Sequence, residues 1–298
     1  MEAAYPIGHP IPVRHRPFGH WNTGGVQRSM VRPSPVFLGI LAVTIGGGVL
    51  AGLGDDGLVL IQAVTGQQPN VAVTSGAVLL VLGGWGVSLC LHEFGHALVA
   101  YRGGDKEVYF KGYLTLDPRR YTDPVLSLVL PLVLLAIGGI PLPGGAVWIN
   151  HYALKSKRVE SFVSLAGPLS NLALGALLIV VAKIIHPDSP YANPSGDHGL
   201  ASALSFLALL QVFAFVLNIL PVPGLDGWGA IEPYLSPEAQ RFGAKARPWA
   251  PLILFALLIG IRPIGAAFSD LASNVFGLIG GDRVLSSLGD YVAFFWRH

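Results

Sequence analysis

The sequence predicts an all-α polytopic membrane protein with about 5–6 transmembrane helices, and three observations carry that expectation. Of its 298 residues, 52% are apolar and only 12% charged, about half the charged share of an ordinary soluble domain. Apolar runs of bilayer-crossing length recur at 36–53, 76–101, 124–142, 162–185, 200–220 and 249–268. The connections between them differ in positive charge as membrane insertion requires. No polar stretch between the runs is long enough to house a soluble domain.

Taken in order, residues 1–34 are rich in Pro, Gly, Arg and His and read as a flexible arm. Residues 35–268 form the membrane-embedded core and 269–298 a C-terminal tail. The first run starts too far from Met1 for a signal peptide and is expected to remain as a helix. Its Gly48 and Gly52 offer a neighbouring helix close approach. The arm carries Arg14, Arg16, Arg28 and Arg32, whereas the 54–75 connection carries Asp55 and Asp56 and neither Lys nor Arg. The N-terminus is therefore expected to be cytoplasmic and that connection external. The second run comes back inward and ends at Arg102, Lys106, Lys111, Arg119 and Arg120.

The third run breaks the alternation, because Lys155, Lys157 and Arg158 follow it while the later 187–199 connection has Asp188 and Asp197 alone. A re-entrant segment that enters and leaves on the cytoplasmic side satisfies both flanks. Pro131, Gly138, Gly139, Pro141 and Pro143 supply the bends, and a plain spanning helix is the alternative. The fourth run then goes outward, the fifth inward, and the sixth follows a cytoplasmic segment with Arg241, Lys245 and Arg247. The tail mixes apolar and polar residues and reads as an amphipathic interfacial helix on either side. The stretch GGAVWIN, 144–150, reads as a short strand-like loop near the candidate active site, or as an ordinary loop.

Ionisable residues at membrane depth are costly and ordinarily face a partner or a wet site. The second run holds three, His92, Glu93 and His96, in the stretch HEFGH. Histidines four apart on a helix project from one face about one turn apart and can share a metal, with the glutamate between them placed to activate water. The single cysteine, Cys90, rules out an intramolecular disulfide and any cysteine-built cluster, so a metal must be held by His and carboxylate. A catalytic zinc wants three protein ligands and one open position. Ten residues after His92 stands Arg102, and Glu107 lies in a polar turn beyond the helix. Asp226, in NILPVPGLDGW, is the better third ligand, because Pro and Gly around it break the helix and let the carboxylate turn back. Capping a short helix is its other reading. His151, His186 and His198 lie in loops with no partner at ligand spacing.

HEFGH at 92–96, AGPLSN at 166–171 and NILPVPGLDG at 218–227, in that order and on apolar segments, resemble the site-2 protease family of intramembrane zinc metalloproteases. The resemblance covers about 76–235 and points to the compact bacterial or archaeal branch, since no insertion is long enough for a peptide-binding module. It implies one Zn2+ per chain on His92, His96 and Asp226, with Glu93 as general base. Asn218 and Asn171 are implied as catalytic polar groups that bind substrate or steady the intermediate; an interhelical hydrogen bond is the other reading of each.

The activity so implied is that of an endopeptidase that hydrolyses a peptide bond in or near the transmembrane segment of membrane-anchored proteins, as in regulated intramembrane proteolysis, in a prokaryotic cell membrane. Its partners would be a transmembrane protein substrate and the lipid bilayer, with no nucleic acid and an open oligomeric state. A rival from another class is a non-proteolytic membrane protein with a structural or transport metal site. It would use the same ligands and have no need of Glu93.

Overall fold

The computed structural model describes residues 32–121, 147–188, 190–193, 196 and 198–294. Eleven α-helices lie among them, the one-turn α4 (Glu107–Phe110) included, joined by turns and short 3₁₀ segments, with no strand among the described residues. Four are long and apolar enough to cross a membrane: α1 (Pro35–Leu53), α3 (Val71–Gly103), α5 (Lys157–Ile185) and α6 (Gly199–Asn218). The count rises to five if α8 (Pro237–Ala246) and α9 (Ala250–Gly260), bent by 63° against each other, are taken as one broken span. The third expected run, 124–142, and the question of its re-entry lie outside the described residues.

Local chemistry sets the ends of the long helices. Ser34 caps α1, its hydroxyl accepting the Phe37 N–H at 3.1 Å, and Pro35 occupies the first turn, where its missing N–H costs nothing. Asn70 caps α3 through Ala72 N–H at 2.8 Å, so this helix starts five residues before the apolar run that marks it in the sequence. It stops at Gly104, whose φ of +129° suits a residue without a side chain; a Cβ there would lie 2.4 Å from the Ala153 carbonyl oxygen. The 54–75 connection contains a short helix, α2 (Val59–Thr65).

Helices α3 and α6 form the centre. Both bury most of their side chains, while α1 and α5 turn Leu38, Ile45, Val49, Phe162, Leu177 and Val180 outward. Close approach of α1 to α3 runs through Gly47 and Gly76, where a Cβ on Gly76 would lie 2.3 Å from the Ala51 nitrogen and one on Gly47 2.8 Å from the Gly76 oxygen. Gly48 and Gly52, the expected pair, instead face Leu80 and Leu200 at 3.1 Å or more. Without a hydrophobic driving force in lipid, such glycines let backbones gain van der Waals contact.

The sixth expected run, 249–268, is two helices. α9 ends at Gly260, Ile261 is extended, and α10 (Arg262–Leu278) begins with Pro263 in its first turn. Proline cannot donate to a preceding turn, so the helix breaks there. The 268/269 boundary falls inside α10. The tail's last helix, α11 (Arg283–Ala293), packs in the bundle, its Leu288 and Val292 buried and Val292 in one apolar cluster with Trp85 and Phe206. Asp282 caps it through the Val284 and Leu285 N–H groups.

Candidate metal centre

The second half of α3 carries His92, Glu93 and His96, all buried. One helical turn separates the two histidines, and their ring centroids are 4.8 Å apart. Their Nε2 atoms converge to 3.1 Å. The third donor arrives from α7 (Asp226–Ile231), which starts where the chain turns back after α6. Asp226 Oδ2 is 3.2 Å from His92 Nε2 and Oδ1 is 3.5 Å from His96 Nε2. Gly227 makes that turn possible, since a Cβ on it would lie 2.1 Å from the Ile219 carbonyl oxygen.

This donor set fits a divalent metal of the zinc type. All three donor atoms lie within 4.8 Å of one another, and bonds of roughly 2.0–2.1 Å to a tetrahedral ion would set them roughly 3.3 Å apart. Each imidazole is oriented from behind. His92 Nδ1 meets Asn171 Oδ1 at 2.6 Å and His96 Nδ1 meets the Val163 carbonyl at 2.7 Å, both from α5. With the ring protons on Nδ1, both Nε2 lone pairs point inward, the arrangement metal-binding histidines require.

Gly167 of α5 makes room for the rings. A Cβ there would lie 2.3 Å from His96 Nε2 and 2.5 Å from His92 Nε2. No side chain other than hydrogen fits at this point of α5.

Glu93 is not part of the donor set. Its Oε2 accepts the Val147 N–H at 3.0 Å. The segment after Val147 is tied down a second time by Asp105, whose Oδ2 accepts the Asn150 N–H at 2.8 Å. In the expected strand-like loop, residues 147–150 are thus hung between two carboxylates of the α3 end; 144–146 lie outside the described residues.

A cavity of about 360 Å³ opens onto the centre, with His92, Glu93, His96, Asn218 and Asp226 in its wall beside Val147, Ile149, Val163, Pro251 and Phe255. Asn218, last residue of α6, is buried there, and no described residue hydrogen-bonds its side-chain amide. Asn171 is placed differently. Its oxygen is taken by His92, and its Nδ2 donates to Ser88 Oγ at 3.2 Å and Gln211 Oε1 at 3.0 Å, so it stands behind the ring and outside the cavity wall. His151, partnerless by its sequence spacing, lines the cavity, with its Nδ1 2.8 Å from Glu160 Oε1.

Sequence reasoning missed Val147, Asp105, Ser88 and Gln211. A backbone N–H has no letter in a sequence. Ser88 and Gln211 are nonetheless visible as polar residues inside apolar runs.

No family model matches the chain, and no solved structure matches it. Curated relatives do. The chain is 44% identical over 271 residues to the candidate zinc metalloprotease Rip2 of Mycobacterium tuberculosis, covering 91% of this chain and 96% of the relative. It is 43% identical over 269 residues to Rip2 of Mycolicibacterium smegmatis, with 90% and 96% coverage. To the candidate zinc metalloprotease YwhC of Bacillus subtilis it is 30% identical over 181 residues, or 60% of this chain and 79% of the relative. Likeness of this extent to the Rip2 proteins is shared ancestry along nearly the whole chain, and with them it belongs to the site-2 protease family of metalloproteases.

Proposed function

We propose that this protein is an intramembrane zinc endopeptidase that hydrolyses a peptide bond in or near the transmembrane segment of a membrane-anchored protein. The observation that carries the reading is the convergence of His92, His96 and Asp226 beside a buried Glu93, at the wall of a cavity, on a helix long and apolar enough to cross a membrane.

His92, His96 and Asp226 would hold one zinc ion per chain, which when bound would supply a Lewis acid for the scissile carbonyl and a lowered pKa for water. Glu93 takes the proton of the attacking water and passes it to the leaving amine. The Val147 N–H holds the Glu93 carboxylate in place through its Oε2. Asn218 offers its amide to the carbonyl oxygen as negative charge develops. Asn171 acts behind His92 and touches no substrate atom.

A helical substrate keeps its carbonyls hydrogen-bonded, so it must unwind before it can be cut. The segment 147–150 would supply an edge for the unwound stretch. Positive charge after α3 and in the connection before α5 supports a cytoplasmic N-terminus and a site that opens toward the cytoplasm of a prokaryotic cell membrane.

The test is Glu93→Gln in the full chain, assayed on a model transmembrane substrate in detergent and in vesicles. Hydrolysis is expected to fall by at least about a hundredfold while zinc content stays at one per chain. Full hydrolysis by the variant would refute the mechanism. A wild type that binds zinc and cuts nothing would favour a structural or transport site.

A further inference from the structure

His92 can give its Nε2 lone pair to a metal only while its ring proton sits on Nδ1. The atom facing Nδ1 is Oδ1 of Asn171, at 2.6 Å. A carboxamide has two ends, and turned about it would present NH₂ to Nδ1. The ring proton would then belong on Nε2, and the donor set would lose one member.

Two acceptors from two other helices meet the NH₂ end. Asn171 sits on α5; its Nδ2 lies 3.2 Å from Ser88 Oγ on α3 and 3.0 Å from Gln211 Oε1 on α6. Ser88 in turn donates its hydroxyl hydrogen to Gln211 Oε1, so a lone pair of its oxygen is what faces Asn171. All three side chains are buried, with Gln211 at 0% exposure, a low-dielectric setting in which such bonds are stronger than in water.

The orientation of Gln211 has a cost. Its Nε2 has no hydrogen-bond partner among the described residues. Turned the other way, the Gln211 NH₂ would point at the Asn171 NH₂, and the Asn171 amide would have to turn as well. A buried orphan donor is therefore kept where it holds an acceptor in place one residue further on.

We infer that Gln211, together with Ser88, is a positioning residue for the metal centre: it fixes the Asn171 amide with its oxygen toward His92, and thereby fixes His92 in the tautomer that binds through Nε2. The inference rests on the zinc reading above and adds a requirement from α6, a helix that contributes no metal ligand.

The experiment measures zinc affinity of the purified full chain by competition with a chromophoric chelator. Gln211→Leu is expected to bind zinc roughly ten- to a hundredfold more weakly than wild type, the usual effect of losing a supporting hydrogen bond behind a ligand. Asn171→Asp has an acceptor at both ends and cannot be misoriented. In that background Gln211→Leu is expected to change zinc affinity no further.

Two results overturn the inference: wild-type affinity in Gln211→Leu, or the same loss from Gln211→Leu in both backgrounds, which would mark a packing role. Thermal melting after chelation tells whether Gln211→Leu folds. If it does not, Ser88→Ala replaces it in the same cycle with the same two overturning outcomes. A wild type without zinc would instead sink the metal reading itself, so the two failures are distinguishable.

Discussion

Replacing Gly167 by Ala adds one methyl group to α5 at a place already taken. On the present backbone the new Cβ would lie 2.3 Å from His96 Nε2, 2.5 Å from His92 Nε2 and 2.6 Å from His96 Cε1. Contacts of this kind relax only near 3.5 Å, so rings or helix must yield by about 1 Å. If the rings move, two donor atoms leave a site whose bond lengths tolerate about 0.2 Å. If α5 moves instead, it carries Asn171 and Val163 away from the two Nδ1 atoms they hold at 2.6 and 2.7 Å. Both routes damage the same ligands. Zinc binding is expected to weaken by at least about a hundredfold, or roughly 2.7 kcal/mol, in a chelator-competition titration, with peptide hydrolysis lost in parallel. Gly46→Ala is the control, since nothing lies within 4 Å of its Cβ position and helical Gly→Ala is mildly stabilising. Wild-type zinc affinity in Gly167→Ala would refute the steric argument.

The same geometry fixes two further outcomes. Val147→Pro removes the N–H that holds Glu93 and leaves the donor set alone, so turnover should fall on the order of ten- to a hundredfold with zinc content unchanged; equal loss of zinc would show that the segment supports the metal instead. Gly76→Val drives a branched side chain into the α1 backbone, where a Cβ already meets Ala51 N at 2.3 Å. Overpacking of this kind costs about 1–3 kcal/mol or more, read as a lower thermal midpoint in detergent, and an unchanged midpoint would mean that α1 is free to move away.

How much of the site and fold is legible in the sequence depends on the range of the signal. His92, Glu93 and His96 lie within one turn and a bit of a single helix, so their spacing alone brings them together. Asp226 is picked out by the Pro and Gly that break the helix around it, but the fit of the loop that returns it is shaped by Gly227 against the end of α6, a contact no period or composition encodes. Asn171 reads from its motif either as a substrate-facing group or as an interhelical hydrogen bond, and the structure has the second, because position in a motif does not tell which side of a histidine an amide stands on. The break at Ile261 is signalled by Pro263 and masked by the apolar character of the run around it. Gly48 and Gly52 have the right spacing for a helix contact and do face side chains of α3 and α6, Leu80 and Leu200, but the tightest backbone approach of α1 to α3 runs one residue away, through Gly47.

The centre draws on three long helices and a loop that follows the last of them. His92 and His96 come from α3, their orienting groups from α5, the hold on Asn171 from α6, and the third carboxylate from beyond α6. A chain that has inserted only its first spans carries two histidines and nothing to complete them. The donor set is thus complete only once the chain has passed α6 and brought Asp226 back to the two histidines of α3.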